Sequence, residues 1–254
     1  TCLNIIVETH WGFSINVFAG TKSRAALRLI PPTTAIGAIA YPLAKLMNWT
    51  ENEGVVSSAE KIRPIFKSVH TALLDGSFVV YAEITKIFSY KKREKRIISD
   101  AAAVQKVYAQ PGTKLGITYM IDKGRARNIL GDDWLNTLKL AAWSITRLGA
   151  KETMVNTIEV TAGLPEIIET QSVNTRYTFP ITGSEKSIEG DYVTAEVIDW
   201  RKSEIGKYRG APTIIVGLPF DPEKFVPSIV KVVYPNEIRV WKFMDDYYIP
   251  FVSG

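Results

Sequence analysis

Cysteine and histidine are scarce in this 254-residue sequence, which holds one cysteine, Cys2, and two histidines, His10 and His70. A lone cysteine excludes an intrachain disulfide and a thiolate metal cluster, and it fits a reducing compartment better than a secreted scaffold. Cys2 falls in an apparent first strand and is expected to be a small core residue. No zinc-ligand spacing, complete phosphate-binding loop or Gly-x-Ser-x-Gly elbow occurs. Long apolar runs are missing too. The longest uncharged one, 29–44, is too short to span a bilayer and contains three prolines. The succession of basic, apolar and small residues that marks a signal peptide is not visible, so a cytoplasmic protein without a membrane segment is expected.

What is present is ordinary for a globular chain: 46% hydrophobic and 22% charged residues. That is enough for a sizeable core and argues against disorder. The net charge of +5 admits a polyanionic partner without requiring one, so the distribution of the cations matters more than their sum.

One informative stretch runs from Ser23 to Tyr41. Arg24 and Arg28 precede Pro31-Pro32, which cannot lie inside a helix. Thr33 or Thr34 is then expected to cap a helix whose one face carries Ile36, Ile39, Ala40, Leu43, Leu46 and Met47. Free N–H groups, the positive dipole end and two hydroxyls suit a phosphate, and the same residues would equally make an ordinary cap on a packed helix.

Alternation of Leu3, Ile5 and Val7 predicts a first strand. A loop with Trp11, Gly12, Lys22, Arg24 and Arg28 leads to the helix, which Pro42 should kink or shorten. After the Asp75-Gly76 turn, Phe78, Val80, Ala82, Ile84 and Phe88 predict a long second strand, with 104–109 returning. Leu115, Ile117, Tyr119 and Ile121 alternate through a further strand. Asp132 or Asp133 should cap a second helix with Trp134, Leu138, Ala141, Ala142, Ile145 and Leu148 on its face and Gly149 at its stop, followed by a strand over 155–160.

The order strand, helix, strand, strand, helix, strand is the ferredoxin-like order, and the fold class expected is α+β. After Gly163, short strands at 176–179, 192–198, 212–217, 229–234 and 238–243 predict a β-rich extension. The division expected is 1–162 for the ferredoxin-like domain, with a long hairpin near 77–122, and 163–254 for the β-rich C-terminal region.

The strongest charge feature is Lys91-Lys92-Arg93-Glu94-Lys95-Arg96, between two apparent strands. It reads either as a solvated turn or as a phosphate-backbone contact. Lys123, Arg125 and Arg127 read as a basic loop before the second helix. Trp200, Arg201, Lys202, Lys207, Tyr208 and Arg209 mix cations with aromatics, as stacking surfaces do and as protein interfaces do. Trp11 is a core anchor or a base-stacking platform. Asp132-Asp133 and Asp245-Asp246 resemble metal-binding carboxylate pairs, yet neither has a nearby histidine or third carboxylate.

The segments 8–14 (Glu-Thr-His-Trp-Gly-Phe-Ser) and 31–38 (Pro-Pro-Thr-Thr-Ala-Ile-Gly-Ala), with 105–112 (Gln-Lys-Val-Tyr-Ala-Gln-Pro-Gly), resemble the fifth family of CRISPR-associated proteins, in the RAMP superfamily. The double proline, two threonines and following glycine most resemble its archaeal type I-A version. The resemblance implies a non-catalytic subunit without cofactor or metal that caps the 5′ handle of a crRNA. By it, Trp11, Lys22, Arg24, Arg28, Thr33 and Thr34 would hold the handle. A basic thumb with Lys91, Lys92, Arg93, Lys95 and Arg96 would kink the RNA against a repeated backbone subunit. Contact with the large subunit is implied, and with target DNA only indirectly.

Some relatives cut the CRISPR repeat, which makes a metal-independent endoribonuclease the alternative, with His10 near Tyr41 and the helix start as its conceivable site. No lysine–histidine pair of the cutting relatives is matched. A β-rich interaction module with an incidental basic surface is a third reading.

Overall fold

The structure, a computed structural model, describes residues 1–15, 23–50, 52–53, 56–150 and 152–251. Its principal elements are β1 (Cys2–Thr9), α1 (Pro32–Leu46), α2 (Ser58–Ile62), β2 (Phe66–Asp75), β3 (Phe78–Lys91), β4 (Arg96–Ala109), β5 (Lys114–Ile121), α3 (Lys123–Leu130), α4 (Trp134–Trp143) and β6 (Val155–Gly163). These are followed by β7 (Glu166–Thr175), β8 (Phe179–Ile181), β9 (Tyr192–Ile198), β10 (Thr213–Asp221) and β11 (Val230–Phe243). The fold is α+β with strands predominating. Among the described residues no helix is long and apolar enough to cross a membrane.

Four strands form an antiparallel sheet in the order β6-β1-β5-β2. The central strand β1 is covered on both faces, and its two sets of alternate side chains enter different cores. Leu3, Ile5 and Val7 join Ile36, Ile39 and Leu43 of α1 and Leu138 and Ala141 of α4. Each such burial contributes about 1.5–3 kcal/mol. Cys2 faces the other way, among Ala72, Met120, Tyr177 and Tyr248. Burial pushes its thiol up to about 12, which makes it inert packing. Beside it, Asn4 Oδ1 accepts hydrogen bonds from Thr118 Oγ1 (2.9 Å) and the Tyr177 hydroxyl (3.3 Å). Polar groups thus stitch the C-terminal region to this face.

Residues after Gly163 also enter the principal core: Val197, Trp200, Ile205, Val216, Leu218 and Phe220 belong to the cluster that holds Leu3 and Ile36. The described residues after Trp143 include no helix. Two expected strands, 229–234 and 238–243, are one continuous strand, β11, whose pairing with β7 shifts register between Thr170 and Ser172. Of 176–179, only Phe179 lies in a strand.

Other sequence expectations are corrected. The second strand of the four-stranded sheet is β2, not the strand that begins at Phe78. Polar residues hide β2, because Ser68, His70 and Thr71 are buried in it. Strands β3 and β4 instead pair with each other from Phe78↔Ala109 to Lys91↔Arg96. This hairpin lies inside the expected span 77–122, whose last part, β5, pairs in the four-stranded sheet.

At about 3.4 Å per residue its arms reach about 45 Å. The base is clamped by Phe78, which stacks on Phe220 at 4.5 Å and meets Phe13 edge-on at 6.0 Å. Lys123, Arg125 and Arg127 lie on helix α3 rather than in a loop, with Asp122 Oδ1 accepting from Arg125 N. Helix α4 stops at Trp143, before Gly149, while Ile145 and Leu148 are buried beyond its end.

Candidate nucleic-acid interface

The start of α1 differs from the expected threonine cap. Pro31 is the N-cap, in extended conformation, and Pro32 is the first helical residue, where its missing N–H costs nothing. Thr34 N and Ala35 N donate to Pro31 O at 2.9 and 3.1 Å, and no side chain caps the helix. Thr33 and Thr34, both half-buried, sit inside the first turn instead. The Thr33 side chain shares a hydrogen bond with the Tyr208 phenol, whose pKa burial raises. Pro42 does not shorten the helix, which continues to Leu46.

This helix start forms one wall of a cavity of about 640 Å³. Pro31, Thr33, Thr34, Gly37 and Tyr41 line it from α1. Arg147 and Gly149 come from the segment after α4, and Glu196, Tyr208 and Thr213 from the C-terminal region. The Arg147 guanidinium lies 4.4 Å from the Tyr41 ring centroid, and Lys45 Nζ lies 5.6 Å from the same ring. The Thr213 hydroxyl donates to Glu196 Oε1. Local sequence pattern does not bring Tyr41, Arg147 and Glu196 together, because they meet only through long-range folding.

The segment before α1 is tied to the hairpin. Ser23 and Arg24 pair in parallel with Ala103 and Val104 of β4, and Ala26 N donates to Gln105 Oε1 at 3.2 Å. Arg28 is exposed. Lys22 lies outside the described residues. Trp11 is half-buried. Its Nε1 donates to Glu152 O at 2.8 Å, and its ring lies 5.5 Å from Tyr108, which meets Tyr81 edge-on at 5.7 Å. Tyr81 and Tyr108 are 58% and 39% exposed, so an open aromatic row flanks the hairpin base. The pairing register, with Tyr81 opposite Lys106 and Val79 opposite Tyr108, puts the two tyrosines on one face, and neither strand's own sequence signals it.

At the hairpin tip Lys91, Lys92, Arg93, Lys95 and Arg96 are all exposed. Glu94 pairs with Lys91 (3.5 Å) and Arg96 (2.6 Å). Lys92, Arg93 and Lys95 have no carboxylate partner among the described residues. The fold therefore separates the predicted residues into a group near the α1 start and hairpin base and a group at the tip, about 45 Å along the arms.

The mixed cation and aromatic cluster does not form an open stacking surface. Trp200 is buried, 3% exposed, and Arg201 is held by Asp199 (2.9 Å) and Phe251 O (2.6 Å). On α3, Arg127 pairs with Asp132 at 3.0 Å and Arg125 Nη1 donates to Pro64 O. Asp246 makes a two-point bond to Arg176 at 2.6 and 2.8 Å. His10 is exposed and is not among the residues that line the cavity beside Tyr41. His70 is fully buried, and burial pulls its pKa down to about 4. Among the described residues, no three His, Cys, Asp or Glu side chains gather as metal ligands would.

No protein-family model matches the chain. It is 29% identical over 202 residues to CRISPR-associated protein Cas5 3 of Saccharolobus solfataricus, covering 75% of this chain and 77% of the relative. It is likewise 29% identical over 201 residues to CRISPR system aCascade subunit Cas5 1 of the same organism, with the same coverage. Among solved structures, a CRISPR protein from Archaeoglobus fulgidus superposes with a TM-score of 0.61 over 99% of both chains at 15% identity. Its likeness concerns the fold. With the residues at 8–14 and 31–38, these relatives make the chain similar in sequence to the fifth family of CRISPR-associated proteins.

Proposed function

We propose that this chain is a non-catalytic crRNA-binding subunit of an archaeal type I-A CRISPR effector complex that caps the 5′ handle of the guide. In this reading residues 1–162 are a ferredoxin-like RAMP domain and 163–254 its β-rich extension. The antiparallel order β6-β1-β5-β2, with α1 between the first two strands and α3 and α4 before the last, supports the ferredoxin-like assignment.

The observation that carries the proposal is the convergence at the hairpin base. The segment before α1 is bonded to β4, while the cavity at the α1 start and the Trp11–Tyr108–Tyr81 row flank the same region. A single strand entering there meets hydroxyls, a free guanidinium and stacking rings. The β3–β4 hairpin is then the thumb. Its uncompensated Lys92, Arg93 and Lys95 neutralise backbone phosphates without reading sequence. One face of the hairpin exposes Ile84, Phe88, Tyr90 and Ile97, and in this account that face lies against the repeated backbone subunit. The large subunit is a further partner, and target DNA is met only through the assembled complex.

Co-purification of the chain with its complex, followed by sequencing of the bound RNA, tests the reading: RNAs sharing one 5′ handle are expected. Random RNA, or cleavage of labelled repeat RNA by the isolated chain in EDTA, would overturn it, the latter in favour of the endoribonuclease.

A further inference from the structure

The cavity at the start of α1 holds two opposite charges that do not neutralise each other. Arg147 lies over Tyr41 and has no carboxylate partner among the described residues, and Glu196 is engaged only by the Thr213 hydroxyl. Stacking on a ring fixes the guanidinium plane and leaves its N–H groups for an anion. The rest of the lining is largely apolar, with Ile15, Leu27, Ala38, Val197 and Ile205 in it. At about 640 Å³ the cavity is of the size that takes a single small ligand. A ligand that fits this lining is a flat, weakly polar body that carries both an anion and hydrogen-bond donors.

We propose that this cavity takes one unstacked nucleotide of a bound RNA, with a phosphate on Arg147 and an exocyclic amino group of the base on Glu196. The inference rests on the RNA-binding reading above and adds a base preference to it. A carboxylate accepts from the amino group of cytosine, adenine or guanine. Uracil presents a carbonyl in its place and is repelled. Glu196 therefore discriminates against uracil, Arg147 supplies affinity common to all bases, and Tyr41 is the positioning residue for Arg147. Gly37 supports the pocket by its smallness, since a Cβ built there meets nothing within 4 Å and would project into open space.

The test is binding of pentacytidylate and pentauridylate to the full chain by fluorescence anisotropy, with circular dichroism as the control for folding. The wild type is expected to hold the cytidine oligomer about tenfold more tightly than the uridine one. Glu196→Gln, a surface change, should reduce that preference to about twofold or less. Arg147→Ala should weaken both oligomers alike and lower the log–log salt slope by about 0.7. Gly37→Leu, which fills the cavity, should abolish the preference in a folded protein.

Equal affinity of the wild type for the two oligomers, or a preference that survives Glu196→Gln and Gly37→Leu, overturns the pocket while leaving RNA binding in place. Failure of the wild type to hold either oligomer overturns the RNA-binding reading, and the pocket with it.

Discussion

Arg147 and Tyr41, more than a hundred positions apart in the chain, meet with the guanidinium carbon 4.4 Å from the ring centroid, and both line a cavity that neither residue forms alone. Tyr41→Leu removes the ring and keeps the helix. The stability cost should stay within about 1 kcal/mol, the size of an exposed cation–π interaction. RNA affinity should fall about as far as in Arg147→Ala, by anisotropy titration. Wild-type affinity in Tyr41→Leu would mean that the ring does not position Arg147.

Gly37 lies inside α1 with open space beside it. Gly37→Ala should therefore raise stability by about 0.8–1 kcal/mol, the helix-propensity difference. Thermal and urea unfolding measure it, and a fall in stability would show that the helix needs glycine at this position for packing.

Gly12 is the opposite case. Its φ of +130° and its approach to Val107 O leave no room for a Cβ, and this close approach sets Trp11 against Tyr108. Gly12→Ala should destabilise the protein by about 1–3 kcal/mol from backbone strain alone. A red shift of Trp11 emission is expected as its ring is released, and an unchanged melting curve would contradict the assignment.

His70 gives a pH dependence with a definite sign. Its Nδ1 donates to Thr178 O at 2.9 Å, its Nε2 lies 2.7 Å from Ser68 Oγ, and burial lowers its pKa to about 4. The unfolded chain, with a histidine pKa of about 6.5, takes up the proton first as pH falls. Stability from this group is complete above about pH 6.5 and declines progressively down to about pH 4, by about 3 kcal/mol in total. Urea unfolding across this window should show the slope in the wild type and a flatter one in His70→Gln. Equal slopes would show that the buried imidazole is not their source.

Much of the fold is legible locally. Alternation marks β1 and β5, the double proline marks the start of α1, and the tip cations lie at a hairpin turn as their flanking strands imply. Strand β2 is not legible, because His70 and Thr71 look polar in sequence and owe their burial to tertiary partners, Thr178 O and Ile30 O. Helix α3 is hidden because it buries only Ala126 and Leu130 beneath a basic surface. The cavity has no local signal at all, since its walls come from α1, the segment after α4 and the C-terminal strands. Tyr208, read from sequence as part of either a stacking surface or a protein interface, bonds Thr33 there.

The most direct measurement of the central claim is the salt dependence of crRNA affinity for the chain with Lys91, Lys92, Arg93, Lys95 and Arg96 replaced by alanine. The tip is exposed and outside the core, so melting should match the wild type. Affinity should fall, and the log–log salt slope should drop by about 0.7 for each single-strand phosphate that the tip no longer neutralises. An unchanged slope with unchanged affinity would contradict the account of the hairpin as an RNA-binding thumb.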